Sequence, residues 1–274
     1  MNNRIYISCD MEGIGGVCSD RHRELKDYFY EWARKLMTLE LNTVTGLLLK
    51  RGVKEIVVND SHDYMLNLHI DELSPAIQLI SGAHKTDSMM EGLTGDFDGA
   101  IFIGYHGKGG LHDAVLSHTY ADSIAKAILN DRWVGETTLN AAFCGAKNVP
   151  LLLVAGDNKV AEEVTELKTE TKSVITKTGI SRSTGIMIHP TKIVERYEKA
   201  IDDVFLTKIE PFRLNPPFRF EVTLREAQMT EIALRVPGTR RISDQTIGFS
   251  HDDYITAYRA FLAVQSLASN NYLK

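Results

Sequence analysis

Short apolar runs of strand length alternate with stretches of helical periodicity in the first part of the chain. Residues 4–7 and 55–59 are nearly continuous apolar runs, which are typical of buried strands. Between them, residues 28–51 carry side chains at helical spacing, and Gly52 follows as a helix terminator. The positions that set this spacing are Trp32, Leu36, Leu39, Thr43 and Leu47. A strand, a helix and a second strand in this order predict a parallel βαβ unit.

The pattern beyond residue 60 predicts further strands and helices. The predicted strands cover residues 76–81, 99–106, 114–118, 149–155, 173–180, 218–224 and 241–249, with a hairpin over residues 128–134. The predicted helices cover residues 135–146, 159–167, 191–205, 225–234 and 254–268, the last preceded by a capping box. Buried strands that alternate with helices are typical of α/β proteins.

The character of the chain changes after residue 168, where charged helices and a connector that contains prolines replace the buried strands. We predict an α/β fold whose parallel-sheet-based, layered main domain covers residues 1–168 and is completed by a C-terminal helix within residues 250–274. Residues 169–249 are predicted to form a smaller α+β lobe that serves oligomerisation or substrate access. A chain of 274 residues is long enough for both.

Composition narrows the partners that we expect. A hydrophobic share of 43% and a charged share of 24% are ordinary for a globular protein. The net charge is -5 and no basic cluster with interleaved aromatic residues occurs, so no nucleic-acid partner is expected. The apolar runs are too short to span a membrane, and the chain enters its first strand without a signal-peptide core, which predicts a cytoplasmic protein. Cys9, Cys18 and Cys144 lack Cys-x-x-Cys spacing and are expected to be reduced thiols.

The end of the first strand carries the first candidate chemistry. Asp10 and Glu12 follow the strand directly, just before several glycines. Residues two apart on an extended strand point to the same side, so both carboxylates would aim at one place. Crowded carboxylates stay ionised most easily beside a cation. On its own, this stretch is equally compatible with a solvated loop.

Histidines at other strand ends favour the cation site. His62, His106 and His118 each close a β-like run, and sites in open parallel sheets gather at the carboxyl ends of strands. A single such histidine is most often an ordinary surface or core residue, but three of them beside an Asp-x-Glu motif predict a metal site. Carboxylates and imidazoles without cysteine suit zinc, manganese or iron.

Three further polar residues have ambiguous roles in this pattern. Glu136 lies in the first turn of a predicted helix, where it can simply interact with the helix dipole. Asp60 is placed to orient His62 through a hydrogen bond. His112, in a glycine-containing loop, is either a supporting residue or unrelated to the site.

The order of these motifs resembles that of the zinc-dependent D-aminopeptidases found with bacterial dipeptide-transport operons. The resemblance covers essentially the whole chain. It rests on residues 8–14, 58–62, 80–82, 89–93, 104–106, 116–118, 130–136, 139–141, 154–157 and 180–183.

The resemblance implies a dinuclear site and a large assembly. Two zinc ions would be held by Asp10, Glu12, His62, His106 and Glu136, with His118 as the catalytic histidine. Five protein ligands for two ions imply a shared carboxylate, and Asp10 is expected to be the bridge. Members of the family form ring-shaped homodecamers whose active sites face an inner cavity, so a ring-shaped homo-oligomer is expected here.

The predicted function is that of a dizinc aminopeptidase or amidase. It would hydrolyse the N-terminal peptide bond of short peptides that contain D-residues, by means of metal-activated water. His118 would act as a general acid/base or as a nucleophile. Asn140, one helical turn after Glu136, would contact substrate or be an ordinary polar residue on the helix. Lys177 and Arg182 are candidate contacts to a peptide carboxylate.

Two alternative functions remain open from the sequence. A dimetal phosphoesterase is possible because carboxylates and histidines also hold the metals that clamp phosphate. A non-catalytic, peptide-binding ring protein is the second alternative, although the complete set of ligands speaks against it.

Overall fold

The structure, a computed structural model, describes residues 3–23, 25 and 27–269, so residues 270–274 of the predicted C-terminal segment lie outside the described residues. The strands are β1 Arg4–Cys9, β2 Glu55–Asp60, β3 Ile77–Ile80, β4 Gly99–Tyr105, β5 Ile124–Leu129, β6 Arg132–Val134, β7 Leu151–Asp157, β8 Lys172–Ser181, β9 Thr184–Met187, β10 Phe218–Leu224, β11 Arg240–Arg241 and β12 Thr246–His251. The helices are α1 Tyr28–Lys50, α2 Glu136–Ala146, α3 Asn158–Glu166, α4 Pro190–Leu206, α5 Ala227–Ala233 and α6 Tyr254–Ser269.

A seven-stranded sheet forms the centre of the fold, with strand order β3-β2-β1-β4-β7-β8-β9. Its strands are parallel except for β9, which pairs antiparallel with β8. β1, β4 and β7 are almost completely buried, as expected for parallel strands covered on both faces. The predicted α/β fold with a parallel sheet is confirmed.

A second sheet is antiparallel and has the strand order β11-β12-β10-β5-β6. β10 buries Phe218, Phe220, Val222 and Leu224 and turns the residues between them outward. This alternation is typical of an antiparallel strand with one face on the core.

The two sheets do not follow the predicted boundary at residue 168. β8 and β9, which lie beyond that residue, extend the parallel sheet because β8 pairs with β7. β5 and β6, which lie before it, belong to the antiparallel sheet because β5 pairs with β10. The β5–β10 pairing joins segments about 90 residues apart, and local periodicity does not specify which strands will pair.

Side chains of alternate residues in the central strands pack into two hydrophobic cores, one on each face of the sheet. Ile5 and Ile7 of β1 pack in one core with α1 and α4, while Tyr6 packs in the other with α2 and α6. Within the described residues, no helix combines the length and apolar character needed to cross a membrane.

Two local predictions differ from the structure. Residues 114–118, predicted as a strand, form turns in which Leu116 has a φ of 52°. Residues 241–249, predicted as one strand, instead span the turn between β11 and β12. At residues 114–118 the apolar run packs into a core without joining a ladder, whereas at residues 241–249 a turn divides the run between two paired strands.

Candidate metal centre

Three adjacent strands bring the predicted ligands to one edge of the parallel sheet. Asp10 directly follows β1, His106 directly follows β4, and His62 comes two residues after β2. Because β1 lies between β2 and β4, the three strand ends meet. This is where sites form in open parallel sheets.

Backbone hydrogen bonds fix the loops that follow these strands. The amide of Asp10 donates to the carbonyl of Ile103 at 2.8 Å, and the amide of Ser61 donates to the carbonyl of Cys9 at 2.8 Å. Gly104 has a φ of 74°, and a Cβ there would lie 2.0 Å from the carbonyl oxygen of Asp10. A glycine is therefore required at this position for the close approach of β4 to Asp10.

One half of the centre consists of Asp10, Glu12 and His62, all buried. The Nδ1 atom of His62 lies 2.9 Å from Oε2 of Glu12 and 3.3 Å from Oδ1 of Asp10. Ligand atoms of the three side chains lie within 4.8 Å of one another, close enough to surround one ion.

The other half consists of His106, His118 and Glu136, also grouped within 4.8 Å. The Nε2 atom of His106 lies 3.5 Å from Oε2 of Glu136 and 3.6 Å from Oδ2 of Asp10. Asp10 thus turns one oxygen toward His62 and the other toward His106. Its carboxylate lies between the two halves.

Glu136 is the first residue of α2, and a buried carboxylate caps that helix from outside. Gly135 offers no side-chain cap, but Glu163 Oε1 accepts from the Gly135 amide at 2.9 Å and from the Thr138 amide at 3.0 Å. It also accepts from the Thr138 hydroxyl at 2.6 Å. The cap satisfies amides at the start of α2 and so holds Glu136 in place.

His118 lies on the loop between β4 and β5 and stacks on His106, with ring centroids 4.2 Å apart. Its Nδ1 atom is 2.8 Å from the carbonyl of Leu116, which assigns the ring proton to Nδ1 and leaves Nε2 free toward Glu136 at 3.8 Å. Burial, and then the charge of His106, lower the pKa of His118. The ring is therefore uncharged near neutral pH.

The donor set fits metal ions. Nε2 of His106 and Nε2 of His62 are buried and have no hydrogen-bond partner among the described residues. Buried polar atoms are normally satisfied, so unpartnered atoms in one cluster point to an ion. Imidazole nitrogens and carboxylate oxygens are common zinc ligands in catalytic sites.

The electrostatics of the cluster agree with this fit. Burial raises the pKa of Asp10 to about 8, and the charge of Glu12 adds to that shift. Burial opposes protonation of His106, yet the charge of Glu136 raises the pKa of His106 to about 10. Protons on Asp10 and His106 thus offset the crowded negative charge. A divalent cation would take the place of those protons, because an imidazole ligand must be neutral.

The cluster lies at the floor of an open cavity of about 820 Å³. Asp10, Glu12, His62, His118 and Glu136 all line it, together with Asp20, Arg23, Leu25 and residues of the loops at positions 61–65 and 118–122. The clustered carboxylates and imidazoles are therefore accessible from solvent through this cavity.

Several residues singled out by the sequence lie outside this cavity. Asp60 does not contact the His62 side chain; its carboxylate accepts from the amides of Asn67 and Leu68, and Asn67 in turn donates to the His62 carbonyl. Asp60 therefore orders the loop that carries His62. The His112 side chain is exposed and lies apart from the cluster.

The substrate contacts expected of Asn140, Lys177 and Arg182 are not supported by the geometry. Asn140 is completely buried; its Nδ2 donates to the Tyr105 hydroxyl at 2.9 Å, and its Oδ1 accepts from the Tyr120 hydroxyl at 2.6 Å. Lys177 is also buried, and its ammonium group donates to backbone carbonyls of the loop that carries Glu12. Arg182 does not line the cavity.

Arg23 is a charged cavity residue that the sequence patterns did not single out. It lies in an unpatterned polar stretch before α1, where no periodicity or motif marks it. In the structure it lines the cavity, and its Nη1 atom lies 3.8 Å from Oε1 of Glu12.

A parallel sheet that gathers carboxylates and histidines beneath an open cavity is the architecture of a metal-dependent hydrolase. The family model described as D-aminopeptidase matches residues 3–263 of the chain. A D-aminopeptidase from Bacillus subtilis (strain 168) is 36% identical over 272 residues, which is 97% of each chain. The chain therefore belongs to the D-aminopeptidase family, and the resemblance inferred from its motifs is confirmed.

A solved structure gives the same answer for the fold. It is that of a Zn-dependent D-aminopeptidase from Bacillus subtilis, described as a self-compartmentalizing protease. It aligns with a TM-score of 0.92 at 34% identity, and the alignment covers 99% of this chain and 100% of the other.

Proposed function

We propose that this protein is a zinc-dependent D-aminopeptidase that removes the N-terminal residue from short peptides. The observation that carries the proposal is the buried cluster of three carboxylates and three histidines, with unpartnered ligand atoms, at the floor of an open cavity. Because the chain belongs to the D-aminopeptidase family, peptides are favoured over phosphate esters as its substrates.

Asp10, Glu12, His62, His106 and Glu136 are proposed to hold two zinc ions, with Asp10 as the shared ligand. Support for the bridge comes from the two oxygens of Asp10, which face His62 and His106 respectively. Two bound zinc ions would supply an activated water and polarise the scissile carbonyl.

His118 is proposed to move a proton during hydrolysis. Its Nδ1 proton is held by the Leu116 carbonyl, so Nε2 is the atom that faces the cavity and can accept or donate the proton. The same atom is close enough to Glu136 to serve as a metal ligand instead.

The His118→Ala variant separates these two roles. If His118 transfers a proton, its removal should lower kcat by about 10²- to 10⁴-fold, while the zinc content per chain stays the same. Zinc analysis of the purified variant is the deciding readout. Loss of one zinc per chain would make His118 a ligand and contradict the proton-transfer role.

The activity itself is tested by hydrolysis of D-alanyl and L-alanyl dipeptides and amides before and after chelation. We expect release of the N-terminal D-residue, loss of turnover with the chelator, and recovery when zinc is added. Turnover of a phosphate ester but not of any peptide would instead support the dimetal phosphoesterase.

We further propose that the protein forms a ring-shaped homodecamer in the cytoplasm. The description of the B. subtilis relative as self-compartmentalizing supports the ring. Large apolar side chains of Tyr28, Trp32 and Leu39 are exposed on α1, as expected of a contact surface. Light scattering should give a mass near ten times the 30.7 kDa of one chain, whereas a monomer mass would contradict the ring.

A further inference from the structure

The cavity above the metal centre is strongly acidic. Six carboxylates line it, and Arg23 is the only lysine or arginine among the lining residues that the structure describes. The six are Asp10, Glu12, Asp20, Asp63, Asp122 and Glu136. A peptide with a free α-carboxylate would be repelled from most of this wall, so its position depends on the cations present.

Two aspartates hold the Arg23 guanidinium in a defined orientation. Its Nε atom donates to Asp20 at 2.8 Å and its Nη2 atom donates to Asp122 at 3.0 Å. Arg182 binds the other oxygens of the same aspartates, at 2.8 Å for Asp20 and 3.3 Å for Asp122. Two arginines and two aspartates thus form one neutral network, and Arg23 is its member next to the metal ligands.

One edge of the guanidinium remains for a ligand. Among the described residues, Nη1 of Arg23 makes no hydrogen bond, and it lies 3.8 Å from Oε1 of Glu12. Arginine binds carboxylates through directed, charge-assisted hydrogen bonds. An anion that approaches Nη1 from the cavity would therefore be bound close to the metal centre.

The distance from the centre limits which anion this is. One residue of extended chain spans about 3.3–3.6 Å, so the carboxylate of a dipeptide lies one residue from the scissile bond. Nη1 is likewise close to Glu12, a proposed metal ligand. The carboxylate of such a short peptide is therefore the anion expected at Nη1.

We propose that Arg23 binds the free α-carboxylate of a dipeptide and makes dipeptides better substrates than their C-terminal amides. This inference rests on the proposed aminopeptidase function. Arg23 acts on specificity through the leaving residue, and the metal ligands act on the scissile bond.

The test compares wild type, Arg23→Gln and Arg182→Gln on D-alanyl-D-alanine and on its C-terminal amide. For Arg23→Gln, we expect KM for the dipeptide to rise about 10- to 100-fold, because one charge-assisted hydrogen bond to the carboxylate is lost. KM for the amide should change little. Arg182→Gln disturbs the same two aspartates without lining the cavity, so it should affect both substrates equally. Arg23→Lys, which keeps the charge, should recover part of the preference.

Equal losses on dipeptide and amide in Arg23→Gln, or a wild type without preference for the free carboxylate, would overturn the inference while leaving the aminopeptidase activity intact. Calorimetric binding of the same two compounds to the zinc-loaded protein distinguishes failure of the proposed function. If neither compound is hydrolysed, dipeptide binding that is lost in Arg23→Gln still supports the carboxylate site, and equal binding of both compounds refutes it.

Discussion

Removal of the external cap on α2 should destabilise the protein and weaken the metal centre together. In Glu163→Ala, the amides of Gly135 and Thr138 and the Thr138 hydroxyl lose their acceptor. Glu163 is buried, so water does not readily replace it. The loss combines a helix cap with buried donors left unpaired.

The magnitude follows from these contacts. An N-cap contributes about 0.5–2 kcal/mol, and a buried donor without a partner costs about 1–3 kcal/mol. Allowing for rotation of the Thr138 hydroxyl and partial hydration, we expect Glu163→Ala to lose about 2–4 kcal/mol, or roughly 4–12 °C in Tm. Glu163→Gln keeps an acceptor oxygen and should lose about 1 kcal/mol.

Thermal melts at fixed chain concentration, with and without zinc, measure the effect. Glu162→Ala is the matched control, because Glu162 is exposed and its ion pair with Lys159 contributes about 0–1 kcal/mol. Since Glu136 begins the capped helix, Glu163→Ala should also bind zinc more weakly than Glu162→Ala. Equal Tm values and equal zinc affinities in the two alanine variants would refute the reasoning.

Two further substitutions test the packing around the site and the scaffold. Asn140→Leu removes a buried amide bonded to Tyr105 and Tyr120, so urea unfolding should show a loss of about 2–4 kcal/mol with little change in KM. A raised KM at unchanged stability would instead indicate a substrate contact. Gly46→Ala adds a Cβ in the middle of α1 with no atom within 4 Å, which should stabilise the protein by about 0.5–1 kcal/mol. A lower urea midpoint in that variant would mean that Gly46 is not helical or that the added methyl group clashes with another atom.

Much of the metal centre could be predicted because its parts are local to strand ends. A strand followed by an acid or a histidine is visible in the sequence, and parallel topology brings such ends to one edge. Asp10, His62 and His106 are positioned in this way. Glu136 could be predicted as a metal ligand only from the family resemblance, because a glutamate in the first turn of a helix is ordinarily explained by the helix dipole.

Residues that act through distant contacts were not predictable. Glu163 reaches Gly135 across 28 positions, and Lys177 reaches the Glu12 loop across more than 160. Arg23 is joined to Asp122 across 99 positions. Sequence periodicity reports which face of an element is buried, but it does not report which polar partners meet there.

The predicted boundary at residue 168 differs from the sheet membership of the strands for the same reason. Phe218–Leu224 was predicted as a strand from its alternation, and the structure has this strand. Its partner is β5, about 90 residues earlier in the chain, and that pairing places the middle of the chain in the antiparallel sheet. Strand existence depends on local pattern, whereas sheet membership depends on long-range contacts.

The most direct test of the account is a zinc titration of the metal-free protein, followed by the rate of D-alanyl-D-alanine hydrolysis. The account predicts no hydrolysis at the start and a rate that rises until about two zinc ions are bound per chain, as in dinuclear sites. A rate that is independent of zinc, or no hydrolysis once the sites are filled, would contradict a zinc-dependent aminopeptidase at this centre.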